Sequence, residues 1–415
     1  MPVQDFQKFL RTIPVPPHVG APPPPDRHAP PVGVRPHPRK PIGKPARPLG
    51  DPVSPPKQYP RFVPPPITGL NNLSVALDVM LPGEAAEAES DGALVFHSVG
   101  DTGGYHGDGV EKAISDAMDK QLTEATAAKT RIPAFYYNLG DVIYFNGLST
   151  EYDRQFYEPY QSYHASIFAI AGNHDGDTST RPGDPVDNEP SLFGFMRNFC
   201  DVSTHHDSPY RSTMTQPYVY WTLDAPFVTI VGLYSNVDGS LDARGKSEQQ
   251  QWFETQVRNA PGAKDKALII TVHHPPYSLD TTHGGYPDIG IAIDRVIQAT
   301  GRIPTAVLSG HVHSYQRFER DLGGKKVPYV IAGAGGYANT AKLLHRIELQ
   351  NGEPLADGFQ TTLPDVKLAK HNDKDPGFLR VTVDDKKKTL TLEYFLVPFA
   401  GAPGVAPYDS VTVPW

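Results

Sequence analysis

The sequence predicts an α/β fold in which two mixed β-sheets pack together with helices on the outside. Three observations lead there. Short, nearly continuous apolar runs alternate with stretches of helical periodicity, the pattern of sheet strands covered on both faces. Other apolar runs pair across short polar turns, so antiparallel hairpins join the parallel strands. At 415 residues the chain can bury a core of that size.

The first 66 residues carry half of the chain's 44 prolines, with runs at Pro22–Pro25 and Pro64–Pro66. Such a composition favours extended polyproline II and builds no packed core of its own. Residues 1–66 are therefore expected to be a Pro-rich arm and 67–415 the folded domain. The first 50 residues hold eight Lys or Arg against Asp5 and Asp26, whereas the whole chain carries −8. A basic arm on an acidic body leaves two readings open: a loose tether or docking arm, or a strap over the chain's own surface.

From about residue 72 the elements follow in order. Ala93–Phe96 reads as a strand running to Gly100-Asp101, and Val110, Ala113, Ile114, Ala117, Met118 and Leu122 then recur at helical spacing. Ala134–Tyr137 leads to Gly140-Asp141, and Ile167–Ile170 to Gly172-Asn173. Gly176–Gln216 is long, polar and Pro/Gly-rich, with only Leu192–Phe199 helix-like; its place after a candidate site predicts a lid or substrate wall. Tyr218–Leu223 and Val228–Leu233 read as a strand pair. A helix over Gln249–Val257 precedes Ala267–Val272, which ends at His273-His274, and a helix over Ile289–Ala299 leads to Ala306–Leu308. Pro328–Ile331 runs into a Gly-rich stretch at Gly333–Gly336. Leu379–Val383 and Leu390–Phe395 flank a polar turn at Asp384–Lys388, a hairpin.

Composition excludes several classes. The net charge of −8 argues against nucleic acid as a partner. Cys200 is the only cysteine, so no disulfide, Cys-based zinc site or iron–sulfur cluster forms within one chain. The opening residues lack the apolar core of a secretory leader, and no 18-residue apolar run offers a membrane span. A soluble protein is expected, cytoplasmic, or exported if a leader has been removed.

Ligand sites in α/β proteins lie beyond the carboxyl ends of strands. Here five strand ends carry Asp101, then Asp141 with Tyr144, then Asn173 with His174, then His273, then His311 with His313. Each alone has an ordinary explanation: Gly-Asp is a common turn, Asn-His-Asp can cap a helix, and a lone His often sits satisfied in a core. Even with His174 left aside they place seven oxygen and nitrogen donors at one edge, too many for a single four-coordinate ion with an open position. Two cations sharing a bridging carboxylate fit better, and that arrangement activates water and clamps phosphoryl oxygens. Without thiolate, a soft-metal site is disfavoured.

The five motifs are Asp101-Thr102-Gly103, Gly140-Asp141-Val142-Ile143-Tyr144, Gly172-Asn173-His174-Asp175, Ile270-Thr271-Val272-His273 and Gly310-His311-Val312-His313. In this order they resemble the calcineurin-like metallophosphoesterases, and among them the purple acid phosphatases. Only Ile270, where the family pattern has Val, departs. Gly103 and Tyr144 carry the narrower assignment, since most metallophosphoesterases have His at the first position and no tyrosine at the second.

The resemblance implies a four-layer αββα sandwich for residues 67–415 and a small phosphoester as substrate. It implies one metal held by Asp101, Asp141, Tyr144 and His313, and another by Asp141, Asn173, His273 and His311, with Asp141 bridging. The Tyr144 phenolate implies Fe(III), with Fe(II), Zn(II) or Mn(II) as its partner. The implied activity is acid hydrolysis of phosphomonoesters by a metal-activated hydroxide, with His174 donating a proton to the leaving alcohol and Asp175 orienting His174. His283 falls where the family carries a substrate-facing histidine. His274 is a second substrate-binding candidate, or a packing residue, and Tyr315 and Arg317 continue the last motif. The alternatives are a phosphodiesterase on the same scaffold, or a metal-stabilised, non-catalytic binding protein worked by its Pro-rich arm.

Overall fold

A computed structural model describes residues 49–52, 73–178, 189–201, 203–241, 248–262 and 265–415. Apart from residues 49–52, the predicted arm lies outside the described residues. In chain order the strands are β1 (Ser74–Ala76), β2 (Ala93–Val99), β3 (Phe135–Asn138), β4 (Ser166–Ala169), β5 (Trp221–Ala225), β6 (Val228–Leu233), β7 (Ala267–Val272) and β8 (Ala306–Ser309). They continue as β9 (Tyr315–Leu322), β10 (Lys325–Ala332), β11 (Leu349–Gln350), β12 (Glu353–Pro354), β13 (Phe359–Gln360), β14 (Val366–Asn372), β15 (Gly377–Asp384), β16 (Thr389–Leu396) and β17 (Asp409–Pro414).

Two large mixed sheets result. The six-stranded sheet is ordered β17-β16-β15-β2-β3-β4, with β2, β3 and β4 parallel and β15 antiparallel to β2. The nine-stranded sheet is ordered β1-β5-β6-β7-β8-β10-β9-β14-β13, with β6, β7, β8 and β10 parallel. The strand period of two divides the nine-stranded sheet's side chains between two layers. Ile269 and Leu308 enter the core shared by the sheets. Leu268, Ile270 and Val307 face the other way, onto Phe253 and Val257 of helix Glu248–Asn259 and Ile289, Ile293 and Val296 of helix Pro287–Thr300. Each such fully buried side chain contributes about 2 kcal/mol. Helix Gly109–Ala128 covers the six-stranded sheet with Ile114, Ala117 and Met118. Helices, two sheets and helices give the four layers. Polar ties cross between the sheets: Thr271 Oγ1 donates to the Tyr137 hydroxyl at 3.2 Å, and Trp221 Nε1 to the Ala169 carbonyl at 3.1 Å.

Helix Pro287–Thr300 shows how local sequence sets an element. Proline at its start sacrifices an N–H that has no partner there, and Gly301 closes it with φ of 68°. The element therefore begins directly after Tyr286, a residue of the site described below. β9 was hidden in the sequence because Arg317, Glu319 and Arg320 interrupt its apolar residues. In the structure Arg317 pairs with Asp409 at 2.6 Å, and Arg320 with Asp294 at 2.6 Å and Asp365 at 3.0 Å. The expected lid over Gly176–Gln216 takes another form in its described part. Helix Phe193–Phe199 buries Phe193, Phe195, Met196 and Phe199 in the shared core, so it is a structural plug. No helix among the described residues is long and apolar enough to cross a membrane.

Candidate functional site

The carboxyl ends of β2, β3 and β4 meet those of β7 and β8 where the two sheets abut. Asp101 N–H donates to the Gly140 carbonyl at 2.9 Å and Thr102 N–H to that of Asp141 at 3.1 Å, which lashes the first two strand-end turns together. The Asp101 carboxylate reaches across the sheets to accept the His311 N–H at 2.7 Å. Asp101, Asp141 and His311 all hold left-handed backbone, with φ of 58°, 53° and 68°. Non-glycine residues in that region cost about 1–3 kcal/mol each, and they persist where surrounding contacts hold them, typically at functional sites. Two glycines are steric requirements of the same turns. A Cβ on Gly172 would lie 2.1 Å from Asp141 Oδ1, and one on Gly310 would lie 2.6 Å from Asp101 Oδ2.

The seven donor side chains named from the sequence all converge here, in two groups. In the first, the Tyr144 hydroxyl lies 3.2 Å from Asp101 Oδ1 and 3.4 Å from His313 Nε2, with His313 Nε2 to Asp101 Oδ1 also 3.4 Å. In the second, Asn173 Oδ1 lies 3.1 Å from His273 Nε2 and 2.9 Å from His311 Nδ1. Asp141 Oδ2 is 3.3 Å from His273 Nε2, and Asp141, His273 and His311 bring one ligand atom each within 4.8 Å of one another. All but Asn173, which is half-buried, are buried.

The donor set fits cations. His273 Nδ1 faces the Leu139 carbonyl at 2.8 Å, and a carbonyl only accepts, so this nitrogen carries hydrogen. The neutral ring then aims the Nε2 lone pair at the acceptor oxygens of Asn173 and Asp141. Lone pairs facing one another at hydrogen-bond distance need either a proton or a metal ion between them. Without a metal the proton is held: despite burial, Asp141 and Asp101 raise His273 to about 9. Burial pushes Asp101 up, while His273 and His174 hold Asp141 down against its own burial. Burial pushes the Tyr144 hydroxyl up, and Asp141 and Asp101 add to it. Ionising that phenol therefore requires a strongly polarising cation beside it.

The calcineurin-like phosphoesterase family model matches residues 95–315, the span that holds all seven donors. The chain belongs to the calcineurin-like phosphoesterases. It is a metal-dependent phosphoester hydrolase, and the scaffold-protein alternative is set aside. Human tartrate-resistant acid phosphatase type 5 is 24% identical over 319 residues, covering 72% of this chain and 86% of the human protein. A probable glycerophosphodiester phosphodiesterase from Arcobacter nitrofigilis is 24% identical over 170 residues, covering 40% of this chain and 52% of that one. Among solved structures, a purple acid phosphatase from yellow lupin seeds shares the fold with a TM-score of 0.53 at 18% identity. That likeness covers 77% of this chain and 53% of the lupin chain, so the phosphoesterase spans about half the lupin protein's length.

Around the donors of this phosphoesterase, outer contacts set orientation. The Tyr286 hydroxyl bonds His311 Nε2 at 2.7 Å, which turns Nδ1 toward Asn173. Gln155 accepts the Tyr144 N–H at 2.9 Å and donates back to the Tyr144 carbonyl, clamping that residue from the segment Asp153–Tyr157. His174 Nδ1 donates to the Phe145 carbonyl at 2.7 Å, which fixes the ring, and its backbone N–H bonds Asp141 at 2.8 Å.

One expectation needs correction and one alternative is decided. Asp175 does not orient His174: its oxygens accept backbone N–H groups of Gly172 at 2.8 Å and of Val142 at 3.2 Å. Burial and then the nearby Asp141 push its carboxyl up, against the pull of the bonds from Gly172 and Val142. His274 takes the packing alternative. It is buried, bonds Ser235 Oγ at 2.7 Å, and packs its ring 4.2 Å from His311 and 4.3 Å from Tyr286. His283 does reach the site, half-buried, with its ring 4.5 Å from His311.

Sequence reasoning missed Tyr286, Asp280, His345 and Tyr337. His345 stacks on His313 at 4.3 Å and meets His283 at 4.7 Å, and Tyr337 packs 4.1 Å from Tyr144. Asp280 accepts the N–H groups of Thr282, His283 and Gly284, each at 2.8 Å, which shapes the turn that carries His283. His345 and Tyr337 lie in irregular segments with no motif. The adjacency of His283 and Tyr286 through Gly284-Gly285 was the one available signal.

Proposed function

We propose that this phosphoesterase is an acid phosphatase of the purple type that hydrolyses phosphomonoesters at a two-metal centre. One cation would be held by Asp101, Tyr144 and His313, the other by Asn173, His273 and His311, and Asp141 lies between the groups. The observation that carries this reading is the Tyr144 hydroxyl in the first group. A buried phenol beside two carboxylates is a donor for a hard, highly charged cation, which favours Fe(III) there and Fe(II), Zn(II) or Mn(II) in the second. Bound cations supply Lewis acidity toward phosphoryl oxygens and activate water for attack. His174 Nε2 delivers a proton to the departing alkoxide, while the Nδ1 bond to Phe145 keeps the ring aimed. His283, at the rim, contacts the phosphate or its leaving group.

Metal analysis with a visible absorption spectrum, and hydrolysis of p-nitrophenyl phosphate across acidic pH, test the proposal. A tyrosinate-to-iron band that disappears in Tyr144→Phe, with faster turnover of the monoester than of bis(p-nitrophenyl) phosphate, is expected. Protein that is colourless when fully iron-loaded would sink the Fe(III) assignment. Preference for the diester would favour phosphodiester hydrolysis, the activity in the name of the Arcobacter relative.

A further inference from the structure

Leu49–Pro52, far from the site in sequence, lie against the loop that carries two of its residues. Gly50 and Pro52 are buried. The Gly50 N–H donates to the Glu348 carboxylate at 3.0 Å, and the Gly50 carbonyl accepts the Thr362 N–H at 2.9 Å. The Pro52 carbonyl accepts two donors, the N–H of Ser278 at 2.9 Å and of Gly285 at 3.0 Å. These two amides bracket the turn that Asp280 shapes around His283, and Gly285 immediately precedes Tyr286. The same stretch is tied on another side: Thr281 N–H donates to the Arg346 carbonyl at 2.8 Å and Glu348 N–H to that of Leu279 at 2.9 Å. Residues 49–52, 278–285 and 346–348 thus form one hydrogen-bonded layer, from which His283 leans on His311, while His345, next to Arg346, stacks on His313.

The contact has steric precision. A Cβ on Gly285 would lie 2.3 Å from both the Pro52 and Pro276 carbonyl oxygens, so the chain approaches this closely only because residue 285 has no side chain. Gly50 has φ of 78°, and a Cβ there would lie 2.7 Å from the Phe359 ring. Taking Pro52 away would leave two buried amides without this acceptor, at about 1–3 kcal/mol each, a cost the loop can relieve only by moving.

We infer that Leu49–Pro52 act as a positioning strap, in which the Pro52 carbonyl pins the 278–285 turn and thereby places His283 and Tyr286 over the metal-binding cluster. The inference rests on the phosphatase reading for its consequence in catalysis and on geometry alone for the strap. It assigns residues 49–52 of the Pro-rich region a role in substrate binding.

Gly50→Val tests it in the full chain, because it pushes the strap off Phe359 without touching any donor or substrate residue. Glu348→Ala loosens the strap from its other side, so misfolding of one variant does not decide the matter. Amide hydrogen exchange over residues 277–286 and steady-state hydrolysis of p-nitrophenyl phosphate by metal-loaded protein are the readouts. Faster exchange at Ser278 and Gly285, with KM raised about tenfold and kcat changed much less, is expected from losing one or two such bonds. Unchanged exchange overturns the strap whatever happens to turnover. Faster exchange with unchanged KM overturns its role in positioning. Wild-type protein that cleaves no phosphoester would be a failure of the phosphatase reading, and the exchange data would still decide the strap.

Discussion

The two sheets bring different chemistry to the site. The six-stranded sheet supplies the oxygen donors, Asp101, Asp141, Tyr144 and Asn173, from the ends of β2, β3 and β4. The nine-stranded sheet supplies the imidazoles, His273 from β7 and His311 and His313 from β8. Each half is electrostatically unfavourable by itself. The oxygen half buries two carboxylates beside a phenol. On the imidazole half, burial and then the neighbouring rings of His274 and His283 hold His311 well below the usual histidine range, and burial lowers His313 to about 3. Placed together, and with positive charge between them, the halves would complement one another. A metal site at a sheet–sheet junction therefore depends on packing far from any donor.

The largest effect is expected where the halves join. Asp141→Asn should strip metal and lower kcat/KM roughly a thousandfold, the scale of several kcal/mol of lost charge stabilisation. Full metal content with near-normal turnover would show that Asp141 does not join them. His174→Ala, on the oxygen side but outside both donor groups, should keep its metal. It should lose roughly a hundredfold or more in turnover on alkyl phosphates, and less on p-nitrophenyl phosphate, whose leaving group needs little proton donation. Equal losses on both substrates would remove His174 as the acid. Tyr286→Phe releases the outer nitrogen of His311, so competition against a chelator should reveal about tenfold weaker retention of one metal.

The smallest effect on catalysis is expected from the tie that holds the sheets in register. The Arg317 guanidinium and the Tyr315 hydroxyl, both from β9, bond Asp409 of β17 at 2.6 Å, and Tyr315 stacks on Tyr394 of β16 at 4.0 Å. Asp409→Asn strands a mostly buried guanidinium and should cost about 3 kcal/mol in urea unfolding, with kcat of the loaded enzyme little changed. Burial would raise Asp409, but the bonds from Arg317 and Tyr315 hold it below the usual carboxylate range. A carboxylate depressed in the folded state stabilises at neutral pH, and that stabilisation fades as pH falls below about 3.9, where the unfolded chain takes up the proton first. The stability gap between wild type and variant should therefore shrink in acid; a gap that widens there would break the assignment.

Much of this was legible beforehand. β7 spans the residues its apolar run marks, and the Leu379–Val383 and Leu390–Phe395 runs pair as the predicted hairpin in β15 and β16. Burial on both faces writes uninterrupted apolar runs, and the turns after those runs carry donors at short, local spacings. β9 escaped because its charged residues are satisfied by partners distant in sequence. Asp175 was misjudged, and His274 left open, for a related reason. Each follows a site residue directly, and consecutive residues at a strand end or in a tight turn point in different directions. Adjacency in sequence therefore put Asp175 under backbone amides and His274 behind His311.

The sequence by itself determined which donors exist, which strand ends present them and which family the chain joins, because those signals are local and periodic. Only the tertiary structure decided that oxygen and nitrogen donors come from opposite sheets, that Tyr286 and Asp280 aim the imidazole side, and that Leu49–Pro52 reach the loop between them. Contacts between segments tens to hundreds of residues apart leave no period in a chain; they exist once burial has paid the entropy of bringing those segments together.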